Sequence, residues 1–220
     1  MTGCFLLSWL AVARAEIPPP DYRSEQAQAA ADEIARRAQL PADSADGARA
    51  NMVSAEDFAD RWRRTLGGGP GRAVDDAKLA YELGLGWRLA GDETSALANL
   101  DRAIAEDPAM VAAHYDRGEI ELNRGNADAA KREFETVVRL APDGWPGHFR
   151  LADVARRANE ADTFERELTS ALRAGFSFRD LAADPSWLAT FRDPTLGPIL
   201  HRLITVYQGD DVLQQFENGP

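Results

Sequence analysis

The 220-residue chain has one cysteine, Cys4, and only three histidines. A lone thiol cannot form a disulfide framework and cannot by itself supply a thiolate zinc site. β-branched residues are sparse while Ala, Glu, Leu and Arg recur throughout, so the local preferences favour helix over sheet. Positive charge is in deficit: 25 Lys and Arg stand against 36 Asp and Glu, for a net charge of −11. An acidic surface repels nucleic acid and anionic head groups, and no basic run is interleaved with aromatics, so no nucleic-acid partner is expected. No hydrophobic run approaches the roughly twenty residues that span a bilayer, so no stable membrane anchor is expected.

The longest apolar run lies at the start, from Cys4 to Ala13, and is followed by Arg14-Ala15-Glu16. Small residues at Ala13 and Ala15 suit a signal peptidase, so residues 1–15 read as a candidate signal peptide, although Met1-Thr2-Gly3 lacks the usual basic residue. Cys4 has no apolar stretch before it, which a lipidation signal requires. Export to the periplasm or beyond is the expectation, with a cytoplasmic location as the alternative. Residues 16–23, with Pro18-Pro19-Pro20, read as a stiff extended tether.

Residues 24–66 read as N-terminal helices. The first runs from Ser24 to Leu40 with an alanine face (Ala27, Ala31, Ala35, Ala38) around Ile34. Pro41 to Ala50 reads as loop. The second helix runs from Ser54, as its cap, to Leu66, with Phe58, Trp62 and Leu66 as its apolar stripe. Gly67 to Gly71 is a strong breaker, and residues 67–76 read as a joint.

A shift of 34 residues brings the next hundred into register. Gly84 falls on Gly118 and Ala152, Gly91 on Gly125 and Asn159, and Ala96 on Ala130. Leu100 falls on Phe134 and Leu168, Ala103 on Val137 and Ala171, and Pro108 on Pro142. The small residues permit close helix approach, Gly or Asn serves a turn with positive φ, and proline stops the second helix of each pair. The pattern Leu83-Gly84…Trp87…Ala96…Leu100…Ala103…Pro108, repeated as Gly118…Gly125…Ala130…Phe134…Pro142, resembles the tetratricopeptide repeat family. A third copy keeps Leu151-Ala152, Leu168 and Ala171. It departs at Phe164, where a small residue is expected, and at Phe176, where proline is expected.

The resemblance implies an all-α fold: a right-handed superhelical stack of antiparallel helical hairpins over 77–176, with flanking capping helices. Residues 177–220 supply the C-terminal cap and tail. Asp184-Pro185 and Asp193-Pro194 read as helix starts, followed by Trp187, Leu188 and Phe191 and then by Leu196, Ile199, Leu200, Leu203, Ile204 and Tyr207.

In this family the first helix of each hairpin lines a concave groove. Carried over, the groove positions are Lys78, Tyr81, Leu85, Arg88 and Leu89, then Tyr115, Glu119, Leu122 and Asn123, then Phe149, Asp153, Arg156 and Arg157. Tyr and Arg commonly anchor interfaces. A Lys/Asn clamp for a C-terminal carboxylate, used by some members, is not expected, because Tyr81 and Leu85 stand at its places and only Arg150 has a suitable counterpart. Tyr81, Tyr115 and Phe149 equally suit packing against the chain's own flanking helices.

Gly84 to Gly91 lies inside a helix, and Gly67 to Gly71 lacks a phosphate-loop ending, so neither binds nucleotide. His114 and His148 are one period apart, too far to share a metal, and read as repeat-periodic packing. Asp75-Asp76 and Asp210-Asp211 read as solvated turn or cap carboxylates. No nucleophile motif, cofactor motif or metal set is present. The expected function is a non-catalytic scaffold or adaptor binding an unknown protein or peptide. The alternatives are a non-catalytic subunit or assembly factor of a cell-envelope enzyme, and an enzyme or lipid carrier with a deep pocket between residues 54–66 and the tail.

Overall fold

A computed structural model describes residues 20–66 and 71–218. These form eleven α-helices and, among the described residues, no strand. They are α1 (Pro20–Ala38), α2 (Ala45–Leu66), α3 (Arg72–Leu89), α4 (Glu93–Glu106), α5 (Val111–Asn123), α6 (Ala127–Leu140), α7 (Trp145–Arg157), α8 (Ala161–Arg173), α9 (Pro185–Phe191), α10 (Gly197–Tyr207) and α11 (Asp210–Asn218). Packed hairpins α3/α4, α5/α6 and α7/α8 stack in series as a helical solenoid.

The three inner turns repeat one geometry. Gly91, Gly125 and Asn159 have φ of 78°, 83° and 55°. After each, a backbone N–H reaches five residues back: Asp92 to Trp87 O at 2.9 Å, Asn126 to Glu121 O at 2.8 Å, Glu160 to Ala155 O at 2.9 Å. This left-handed closure satisfies the last carbonyls of the helix. Within the hairpins, a Cβ on Gly118 would lie 2.6 Å from Phe134 Cε1, and one on Gly84 would lie 2.9 Å from Leu100 Cγ. The small residues are therefore required by the large ones opposite them, and Leu100, Phe134 and Leu168 are fully buried as the period predicts. Phe164, which breaks the pattern, is also fully buried, and it meets Trp187 of the tail at 6.3 Å.

Three apolar clusters make the core. One joins α1 and α2 to the first hairpin through Ile34, Met52, Leu79, Leu83, Trp87 and Leu100. A small one holds the middle through Leu122, Ala130, Phe134, Leu151 and Val154. The third joins the last hairpin to the tail through Phe149, Phe164, Phe178, Trp187, Leu200 and Phe216. Residues 54–66 and the tail thus belong to different clusters.

Several sequence expectations are corrected. Residues 1–15, the candidate signal peptide, lie outside the described residues, as does the tether up to Pro19. Residues 20–23 are helical rather than extended, since proline is well tolerated in a first helical turn. α2 begins at Ala45, not Ser54: Ser44 Oγ accepts from Gly47 N at 3.2 Å, and Ser54 Oγ instead accepts from Arg37 at 2.9 Å. The buried face of α2 is Met52, Ala55 and Ala59, while Phe58 and Trp62 are half-buried beside α1. Small residues on that face let the helices approach closely. α3 begins at Arg72, so the joint is shorter than expected. Asp76 is not a solvated carboxylate but is buried between Arg72 at 3.2 Å and Arg63 at 3.4 Å. Asp75 is buried too. Asp193 accepts from Thr195 N and Leu196 N and so caps a turn, while α10 starts at Gly197. Asp184 does cap α9, accepting from Ser186 N at 2.7 Å.

Candidate functional site

The first helices of the hairpins, α3, α5 and α7, carry equivalent rings at Tyr81, Tyr115 and Phe149. Each tyrosine is tied to the next hairpin. Tyr81 donates its hydroxyl proton to Asp116 Oδ2 at 2.8 Å. Tyr115 accepts from Arg150 Nε at 3.1 Å. Burial, then the bond to Asp116, pushes the Tyr81 phenol above its ordinary pKa.

The charged positions form a ladder with the tyrosines. Arg88 pairs with Asp116 at 2.9 Å, Arg150 with Glu119 at 2.6 Å, and Asp153 with Arg156 at 2.6 Å and Arg157 at 3.0 Å. Burial raises the pKa of Glu119 even though Arg150 and Arg88 pull it down. Asp153 is buried at 3% exposure and is held by both of its arginines. Every charged groove position except Lys78 is therefore held in an ion pair within the chain.

The chain's own ends occupy both ends of this face. Lys78 donates to Gln28 of α1 at 2.7 Å. Phe149 stacks on Phe176 at 4.3 Å and on Trp187 of α9 at 5.5 Å. Arg156 donates to Ser186 O and to Thr190 Oγ1. Between these covered ends lies an open, largely apolar cleft of about 600 Å³. Tyr81, Tyr115, Asp116, Val111, Val137 and Trp145 are among its walls. Leu85 and Arg88 are half-exposed nearby on α3, and Leu89 is 70% exposed. Leu122 is buried in the middle cluster, and Asn123 is exposed at the end of α5.

Sequence reasoning missed Asp116 and Trp145, and it named Trp187 as a tail contact without its stacking on Phe149. Trp145 opens α7 and is 39% exposed, and its setting in Gly144-Trp145-Pro146-Gly147 reads as a turn. Asp116 is offset from the ring positions by one residue, so a strict 34-residue shift does not bring it to notice.

The histidines behave as periodic structure. His114 Nδ1 meets Glu133 Oε2 at 2.7 Å, and His148 Nδ1 meets Glu167 Oε2 at 2.8 Å, one period on. Each histidine thus has its own glutamate within its own hairpin. Among the described residues no cluster of His, Cys, Asp and Glu is arranged to hold a metal ion. No described helix is long and apolar enough to cross a membrane.

The family model for the tetratricopeptide repeat matches residues 88–152. That span runs from the last turn of α3 through α4, α5 and α6 into α7, and so takes in Arg88, Tyr115, Asp116, Glu119 and Trp145. No curated protein matches the chain. The sequence period, the stacked hairpins and the family match agree: residues 88–152 carry the tetratricopeptide repeat, a repeat of a kind that serves as a scaffold for protein–protein interaction.

Proposed function

We propose that the protein is a non-catalytic adaptor that holds a segment of a partner protein in the cleft walled by Tyr81, Tyr115 and Trp145. One observation carries this reading: the chain covers both ends of its own concave face and leaves the middle open. The cleft volume lies in the range of about 300–1,000 Å³ typical of ligand sites. Its aromatic walls supply large contact area at low entropy cost, as interface anchors do. Of the groove positions, Tyr81 and Tyr115 line this site, and Arg88 reaches it through its pair with Asp116; Leu85, Glu119 and Asn123 lie outside its walls. Lys78, Phe149, Asp153, Arg156 and Arg157 serve the ends that the chain itself covers.

The adaptor acts outside the cytoplasm on this reading, because residues 1–15 have the apolar run and small-residue cleavage site of an export signal. The mature chain then begins at Glu16, which intact mass measurement of the native protein checks directly.

Site-specific photo-crosslinking tests the cleft. A photoreactive residue at Trp145 is expected to capture a defined partner in the native compartment. The same residue at Arg132, exposed on α6, is expected not to. Equal capture from both positions, or none from Trp145, overturns the reading.

A further inference from the structure

Arg117 of α5 clamps the seam between the first two hairpins. Its Nε donates to Asp101 of α4 at 2.6 Å, and its Nη1 donates to Glu133 Oε1 of α6. His114 meets the other oxygen of Glu133 at 2.7 Å. The guanidinium thus bridges carboxylates on two helices of different hairpins. Its planar fork allows this, since separate N–H groups point at separate partners.

The seam between the second and third hairpins repeats every part except the arginine. One 34-residue period on, Asp101 becomes Glu135 of α6, Glu133 becomes Glu167 of α8, and His114 becomes His148 of α7. The histidine–glutamate contact is kept, at 2.8 Å. Arg117 becomes Leu151, which carries no charge and belongs to the middle cluster. A cavity of about 290 Å³ lies at this place, and Glu135, His148, Leu151 and Glu167 are among its walls. No described residue pairs with Glu135.

Two cations of the chain stand at the cavity, and neither makes the bridge that Arg117 makes. Arg166 reaches Glu167 Oε1 at 3.1 Å from the next position on α8, with its side chain 64% exposed. Lys131 lines the cavity without an ion pair. Against these two stand four carboxylates, since Asp128 and Glu160 join Glu135 and Glu167. The floor is apolar, with Val138 and Val154 beside Leu151. An apolar floor under a surplus of carboxylates suits the methylenes of a long basic side chain and the charge at its end.

We infer that this cavity takes an arginine side chain of a partner protein, seated where Arg117 sits one seam earlier. The guanidinium donates to Glu135 and to Glu167 Oε1, and the exposed Arg166 gives way to solvent. The arginine stem lies along Val138, Leu151 and Val154. The cavity shares no wall with the cleft of Tyr81, Tyr115 and Trp145, and Arg132 is not among its walls either. It is a second contact surface, independent of the first.

N-acetyl-arginine amide, blocked at both ends as in a protein chain, is titrated into the intact protein and followed by NMR. The expected result is saturable binding with a Kd of roughly 1–10 mM and shifts at Glu135, His148 and Glu167. The matching citrulline compound, which keeps the shape and loses the charge, is expected to bind about tenfold more weakly. E135Q should weaken binding roughly fivefold, and R166A, which removes the competitor at the rim, should tighten it about twofold. L151R supplies the arginine from within and should abolish binding. Unchanged spectra for α1–α4 show that each variant keeps its fold; should L151R unfold, E135Q and R166A at exposed positions decide the matter. Four results overturn the inference: equal binding of the arginine and citrulline compounds, affinity unchanged in E135Q, shifts away from α6–α8, or no saturation at about 100 mM. Tighter binding of free arginine than of the blocked compound overturns the assignment to a partner protein.

Discussion

The Tyr115 hydroxyl accepts a hydrogen bond from Arg150, 35 residues further along the chain, and the same step links Tyr81 to Asp116. A ring on one hairpin is thus fixed by a charge on the next. The cleft walls and the stacking of the hairpins are parts of one network, and disturbing either reaches the other.

Arg150 is the member of this network with most to lose. It sits between Tyr115 and Glu119, and the Glu119 side chain is only 13% exposed. R150L leaves that carboxylate buried without its main partner, so a loss of about 3 kcal/mol is expected in denaturant unfolding at neutral pH. Y115F removes only a hydroxyl and should cost about 1 kcal/mol.

The loss in R150L should depend on pH. Burial already raises the Glu119 pKa in the folded chain, and Arg150 opposes that rise. Without Arg150 the folded value climbs further above the unfolded one. As pH falls from neutral through the folded value, the native state takes up a proton before the unfolded state does, and stability rises. Part of the R150L deficit is therefore recovered as pH falls towards the ordinary carboxylate value of 4.5. An R150L deficit that grows on acidification contradicts this account.

Asp184 has the opposite sign. Its bonds to Ser186, chiefly, hold its pKa below the ordinary value. Its contribution is present above the unfolded pKa and is lost as pH falls through the folded one. D184A should cost about 1 kcal/mol at neutral pH, with the difference from the parent protein vanishing in strong acid.

Gly118 tests the hairpin packing. Alanine is the better helix former by about 1 kcal/mol, yet its Cβ would meet the Phe134 ring at 2.6 Å. The clash should win, so G118A lowers stability by about 1–2 kcal/mol, and combining it with F134L should restore part of the loss. Thermal unfolding of the two variants gives the comparison.

W187A removes the centre of the third cluster. A loss of about 3–5 kcal/mol is expected, with amide exchange accelerating in α9, α10 and α11 ahead of α3 and α4. Uniform acceleration along the chain contradicts the division of the core into separate clusters.

The hairpins were legible because their parts carry chemical signatures at a fixed spacing. Glycine or asparagine marks each inner turn, and a small residue faces each large one. The flanks were less legible for the same reason. Residues 41–50 are polar and include Gly47, so they resemble a loop, and Ser44 as the true cap of α2 has no periodic counterpart to expose it. Phe58 and Trp62 suggested a buried stripe by their size, but the close approach of α2 to its neighbours selects Ala55 and Ala59 instead. At the site, the register of Tyr81, Tyr115 and Phe149 followed from the period. Their partners did not, because contacts between hairpins depend on the superhelical offset: the two tyrosine bonds fall at 35 residues, and Arg88 to Asp116 at 28. The part of the face that stays open was hidden too, since it depends on where a seven-residue helix in the tail comes to rest.

The small middle cluster has a dynamic consequence. Its buried members are Leu122, Ala130, Phe134, Leu151 and Val154, while each flanking cluster is larger and reinforced by a terminal segment. Local opening is easiest where few buried apolar contacts hold the chain. Amide exchange is therefore expected to be faster in α5 and α6 than in α3 or α8, and a ligand entering the cleft, which is walled by α5, α6 and the start of α7, is expected to slow it.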